Sequence, residues 1–70
     1  MSAFGEKIKS LRTERGLSVK EVCQLVGIPQ SRLSELERGV RLPTPGQISS
    51  LEKYYDVDSE GLVRLAKSDQ

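Results

Sequence analysis

Apolar residues recur along this chain at helical spacing, and nothing alternates at period two over a useful length, so the pattern predicts an all-α fold. From about residue 3 to residue 15, Phe4, Ile8 and Leu11 fall at i, i+4 and i+7, while Glu6, Lys7, Lys9 and Arg15 lie mostly elsewhere. Gly16 ends that segment as a residue suited to the left-handed helix terminus. A second segment, about 19–26, carries an inward stripe of Val19, Val22, Cys23 and Val26 and closes at Gly27. Ser18 followed by Glu21 forms its capping box. A third begins at Pro29 or Gln30 and ends at Arg38, with Gly39 as the stop, Leu33 and Leu36 inward, and Pro29 pre-setting the first turn.

Residues 40–43 read as a connector. Thr44 caps the fourth segment, with Pro45 at its first position, Gln47 completing a second capping box, and Ile48, Leu51 and Tyr55 as the buried face. Asp58 is the expected cap of a fifth segment, in which Leu62 and Leu65 are apolar. Five short helices in one domain spanning 1–70 is the expected architecture.

A chain of 70 residues buries only roughly 60% of its unfolded surface, so an internal substrate cavity is hard to sustain. The hydrophobic fraction of 36% and charged fraction of 30% suit a soluble globular domain. No apolar run approaches the ~20 residues of a membrane span and the start lacks a signal-peptide apolar region, so a cytoplasmic location is expected. Histidine is absent, which removes the commonest general base and metal ligand. Cys23 is the single cysteine and is expected to be a small buried packing residue. Glu35 and Glu37 stand two apart on a helix and do not face one another, so they make no acid–base pair. Neither an enzyme nor a cofactor or metal site is expected.

Net charge is +1, a weak signal for nucleic acid, yet it is unevenly distributed. Residues 1–42 carry eight Lys/Arg against five Asp/Glu, whereas residues 43–70 carry three against five. The basic part contains the most informative stretch, 17–39, with two short helices joined at Gly27 and Ile28 tucked beneath the turn. A turn this short makes the helices cross rather than run antiparallel, leaving the second helix free on one face. Such a helix fits the major groove of B-DNA, roughly 12 Å wide. Gln30 can pair bidentately with adenine and Arg32 with guanine, and Ser31 and Ser34 can take a base edge or a phosphate. Ser18, Lys20 and the backbone N–H groups opening the second segment suit a phosphate.

The ordered set Gly16-Leu17-Ser18, Glu21-Val22, Val26-Gly27-Ile28 and Leu33-Ser34-Glu35-Leu36-Glu37-Arg38-Gly39, with Pro43 soon after, resembles the phage lambda repressor/Cro-like (XRE-type) helix-turn-helix family. The closing stretch from Leu51 through Tyr55-Asp56-Val57 to Leu62 extends the resemblance over residues 4–65, with the helix-turn-helix proper at about 18–38. The resemblance implies a five-helix DNA-binding transcription regulator, repression being the default role, acting as a homodimer on double-stranded DNA. It implies base contacts by Gln30, Ser31 and Arg32, with Glu35 one turn on. Backbone contacts are implied for Arg38 and Arg41 after the third segment, beside those that the residues themselves suggest for Ser18, Lys20 and Ser34. It also implies an Arg12–Glu37 pair tying the first segment to the third, and dimer contacts from Tyr54, Val57, Leu62 and Leu65.

Several positions depart from that family. Val19 stands where glutamine is usual, Pro29 replaces a Ser/Thr cap, Cys23 an alanine, and Glu52 and Leu25 are further departures. Glu35 on the DNA-facing side would repel phosphate unless it accepts from cytosine or pairs with Arg32 or Arg38. The rival reading is the same fold as a protein-binding module, antirepressor- or antitoxin-like, with a protein regulator as partner. The near-zero net charge and the missing glutamine at Val19 favour it.

Overall fold

Capping chemistry sets where the helices begin and end. The structure, a computed structural model, describes residues 2–57 and 59–69. They form α1 (Ala3–Glu14), α2 (Val19–Val26), α3 (Gln30–Arg38), α4 (Pro45–Tyr55) and α5 (Ser59–Ser68). This is an all-α five-helix domain with a helix-turn-helix at α2–α3. Both expected capping boxes are present, Ser18 with Glu21 and Thr44 with Gln47. Ser2 caps α1, its Oγ accepting from the Gly5 N–H at 2.7 Å. The expected cap at Asp58 lies outside the described residues.

Helices α1 and α3 each stop on a glycine in the left-handed region, Gly16 (φ 67°) and Gly39 (φ 78°). In each the amide beyond the glycine reaches back into the helix, Leu17 to the Arg12 carbonyl and Val40 to the Glu35 carbonyl. Helix α4 makes the same turn through Asp56 at φ 54°, a residue whose short polar side chain tolerates this region.

The core is drawn from every helix: Phe4, Ile8 and Leu11 of α1, Val22 of α2, Leu33 and Leu36 of α3, Ile48, Leu51 and Tyr55 of α4, Leu62 and Ala66 of α5. Ile28 is buried under the helix-turn-helix turn as expected. One expectation is revised, the full burial of Cys23. Only Val22 of the α2 stripe is fully buried. Cys23 is half-buried against the core, its thiol donating to the Lys20 carbonyl at 3.0 Å, because an eight-residue helix touches the core along one narrow line. In α5 the second buried residue is Ala66, with Leu65 only half-buried. Pro29 sits just outside α3 with ψ 143°, so Gln30 is the first helical residue and no side chain caps that helix.

Helix α1 packs directly on α3 and α5. The approach to α3 is close: a Cβ on Gly5 would meet the Leu36 and Glu37 carbonyl oxygens. Asp69 joins the two ends of the domain, its carboxylate accepting from the Ala3 N–H at 2.9 Å and the Phe4 N–H at 3.0 Å. Although partial burial opposes its charge, those two N–H groups hold its carboxyl below the usual range. Among the described residues, no helix is long and apolar enough to cross a membrane.

Candidate nucleic-acid interface

Helix α3 buries Leu33 and Leu36 and leaves Gln30, Ser31 and Arg38 exposed. Its orientation is fixed from behind by Arg12, whose Nε donates to Glu37 Oε2 at 2.8 Å and whose Nη2 donates to Glu37 Oε1 at 2.9 Å. The third guanidinium nitrogen, Nη1, donates to the Leu17 carbonyl at 2.8 Å. One arginine thus ties α1 to α3 and to the loop that leads into α2. Its hydrogen bonds to Glu37 raise the Arg12 pKa above its ordinary value, outweighing the opposing effect of burial.

Arg32 and Glu35 stand one turn apart on α3, with Arg32 Nη1 donating to Glu35 Oε1 at 3.4 Å. The same oxygen accepts from Arg41 Nε at 3.2 Å. Glu35 therefore pairs with Arg32 and with Arg41 of the following loop; Arg38, considered from the sequence, is not its partner. Two exposed apolar residues, Val40 and Leu42, flank Arg41. Ser34 is half-buried and, with Arg38, lines a polar cleft against Lys9, Ser10 and Thr13 of α1.

At the start of α2, the Ser18 hydroxyl accepts from the Glu21 N–H at 3.1 Å, and the Glu21 carboxylate accepts from the Ser18 N–H at 3.0 Å. That second bond holds the Glu21 carboxyl below its usual pKa range. The Ser18 hydroxyl keeps its own proton to donate, and the first amides of a helix have no partner within it. Lys20 is exposed beside them.

Tyr54, Val57, Leu62 and Leu65 are the residues expected at a dimer contact. Tyr54, Val57 and Leu65 are half-buried, whereas Leu62 is buried in the core. Val57, Leu62 and Leu65 line an apolar groove with Lys7 and Gly61. Tyr54 stacks edge-on against Tyr55 at 5.1 Å between ring centroids.

Three further contacts have little or no sequence signal. Asp69 caps a helix at the opposite end of the chain. Arg15 donates to the Tyr55 carbonyl at 3.1 Å and lies over the Tyr55 ring. Arg41 reaches back to α3; its proximity to Arg38 was readable, but its carboxylate partner was not.

A family model for helix-turn-helix domains matches residues 8–62. The chain belongs to the helix-turn-helix family of transcriptional regulators. Among relatives of this helix-turn-helix chain, the HTH-type transcriptional repressor RghR of Bacillus subtilis (strain 168) is 34% identical over 67 residues, covering 94% of the chain and 50% of the relative. The uncharacterized HTH-type transcriptional regulator RghRB of the same organism is 34% identical over 67 residues, covering 94% of the chain and 48% of the relative. The cryptic phage CTXphi transcriptional repressor RstR of Vibrio cholerae is 33% identical over 60 residues, covering 86% and 54%. The chain spans about half the length of the curated relatives it matches. No solved structure matches this helix-turn-helix chain.

Proposed function

We propose that this helix-turn-helix chain is a sequence-specific double-stranded DNA-binding repressor of the lambda repressor/Cro-like type, laying α3 in the major groove. The observation that carries the reading is the outward face of α3. Gln30 and Ser31 stand exposed at the start of a helix whose orientation is set from behind by the Arg12–Glu37 pair. Arg32 follows, with its side chain 43% accessible. Gln30 pairs with adenine, Arg32 with guanine, and Ser31 takes a neighbouring edge, while Glu35 lies one turn along the same helix. Ser18, Lys20, Ser34, Arg38 and Arg41 hold the phosphates on either side and set the register. Repression agrees with RghR and RstR, both named as transcriptional repressors.

The protein acts as a homodimer on a two-fold symmetric site, with half-sites about one helical turn, ~34 Å, apart. The apolar groove lined by Val57, the buried Leu62 and Leu65 supports that pairing, to which Tyr54 is a further candidate contact. A second reading, a protein-binding module of the antirepressor or antitoxin kind, draws support from Leu25, a large apolar residue 60% exposed on α2.

Paired substitutions test the DNA reading. Arg32→Ala relaxes the preference for guanine at one position at a cost of roughly 1–3 kcal/mol, whereas Lys20→Ala weakens binding evenly on all sequences and flattens the salt dependence by about one phosphate. Equal loss on every sequence for Arg32→Ala contradicts base reading by that residue. Retained DNA binding with Leu25→Ser separates this reading from the protein-module alternative.

A further inference from the structure

Glu35 places a carboxylate on the very face that, in the function proposed above, meets a polyanion. Its ion pairs do little for the fold. The side chains of Arg32, Arg41 and Glu35 are 43%, 47% and 28% accessible, and pairs so solvated contribute little to stability. What distinguishes them is geometry. A single oxygen, Glu35 Oε1, receives Arg32 Nη1 from the turn before it and Arg41 Nε from the loop beyond Gly39. The helix is thereby tied to the loop that follows it by one charged group.

The donors left over matter. With Nη1 engaged, Arg32 keeps Nε and Nη2, which lie along one edge of the planar guanidinium and match the two acceptors of guanine. Arg41, held through Nε, keeps both terminal nitrogens for the phosphate backbone. Glu35 also cancels one positive charge in a cluster that otherwise carries two, which lowers attraction to DNA of any sequence.

We propose that Glu35 is a positioning residue that sets DNA specificity: it orients Arg32 for guanine through the shared Oε1 brace and holds down sequence-independent binding by offsetting the Arg32–Arg41 charge. The proposal rests on the DNA-reading function and assigns Glu35 no base of its own.

The test uses the wild-type chain, Glu35→Gln, Arg32→Ala and the double variant. Each is titrated against the duplex preferred by wild type, the same duplex with the Arg32-dependent guanine replaced, and a random duplex, across a range of salt. Thermal melting confirms that each variant is folded. Glu35→Gln is expected to bind the random duplex more tightly, with a salt slope steeper by about 0.9. Discrimination at the guanine position is expected to drop about tenfold, within the range of a lost bidentate contact. In the Arg32→Ala background, Glu35→Gln is expected to change that position no further, since the two residues act as one unit.

A loss of preference at a different base pair, persisting in the Arg32→Ala background, would overturn the proposal in favour of direct cytosine reading by Glu35. Unchanged discrimination and salt slope in Glu35→Gln would reduce the cluster to a solvated ion pair. A wild-type chain that selects no sequence overturns the DNA reading itself, and this role with it.

Discussion

Replacing Arg12 by alanine removes three short hydrogen bonds at once, two to Glu37 and one to the Leu17 carbonyl. It also leaves the Glu37 carboxylate, only 7% accessible, without its counter-charge. Breaking a buried pair from one side costs about 3–5 kcal/mol, because the stranded charge bears its full desolvation penalty. Arg12 is 13% accessible, so water can reach the edge of the site and the lower end applies, about 3 kcal/mol. For 70 residues, a total stability of about 3.5–10 kcal/mol is typical, so this one side chain carries roughly 30% of it or more. Converted at roughly 4–8 °C per kcal/mol, the melting temperature falls by roughly 12–24 °C.

Urea unfolding followed by far-UV circular dichroism reads the loss directly. The double variant Arg12→Met/Glu37→Met recovers most of the stability, because two apolar side chains leave no buried charge unpaired. A loss below about 1 kcal/mol for Arg12→Ala would place the pair among ordinary surface bridges and refute the claim that it orients α3.

Gly5→Ala drives a methyl group into the Leu36 and Glu37 carbonyl oxygens. The clash exceeds the roughly 1 kcal/mol gained in helix propensity, for a net loss of about 1–2 kcal/mol in a chemical melt. Asp69 has a depressed carboxyl pKa in the folded state, so its contribution is present above the ordinary value of 3.8 and lost as pH falls through the folded one. The stability difference between wild type and Asp69→Ala should therefore shrink towards zero in an acid titration; a difference independent of pH refutes the charged cap. At the alkaline end, burial lifts Tyr55 from 10.0 to about 12, so its contribution is complete below pH 10.0 and disappears as pH rises through that window. Tyr55→Phe should flatten the alkaline stability curve between those values, and an unchanged slope would sink the assignment.

The helices were legible because each carries its own start and stop. Ser18 with Glu21, Thr44 with Gln47, and the glycines at 16, 27 and 39 are local signals, readable within a few residues. The Arg12–Glu37 pair spans 25 positions and entered only through family resemblance; neither spacing nor composition isolates it. Asp69 on the amides of Ala3 and Phe4 spans still more chain, and a lone acidic residue after a helix has no signature. Cys23 is expected on a buried face and is only half-buried, because helical period gives a direction and not a depth. Whether a flank position is covered depends on the neighbouring helix, which the periodicity of one segment does not encode. The face of α3 was readable as polar. That Glu35 gathers Arg32 and Arg41 depends on how the loop after Gly39 turns back, a matter of tertiary geometry.

The central claim is that α3 reads base edges, and selection from a randomised duplex pool tests it most directly. The wild-type chain is titrated by fluorescence anisotropy at two salt concentrations, and the bound DNA is sequenced. A two-fold symmetric motif, with half-sites about one helical turn apart and affinity falling steeply as salt rises, is the predicted result. Absence of binding even at low salt, or binding that enriches no sequence, contradicts it.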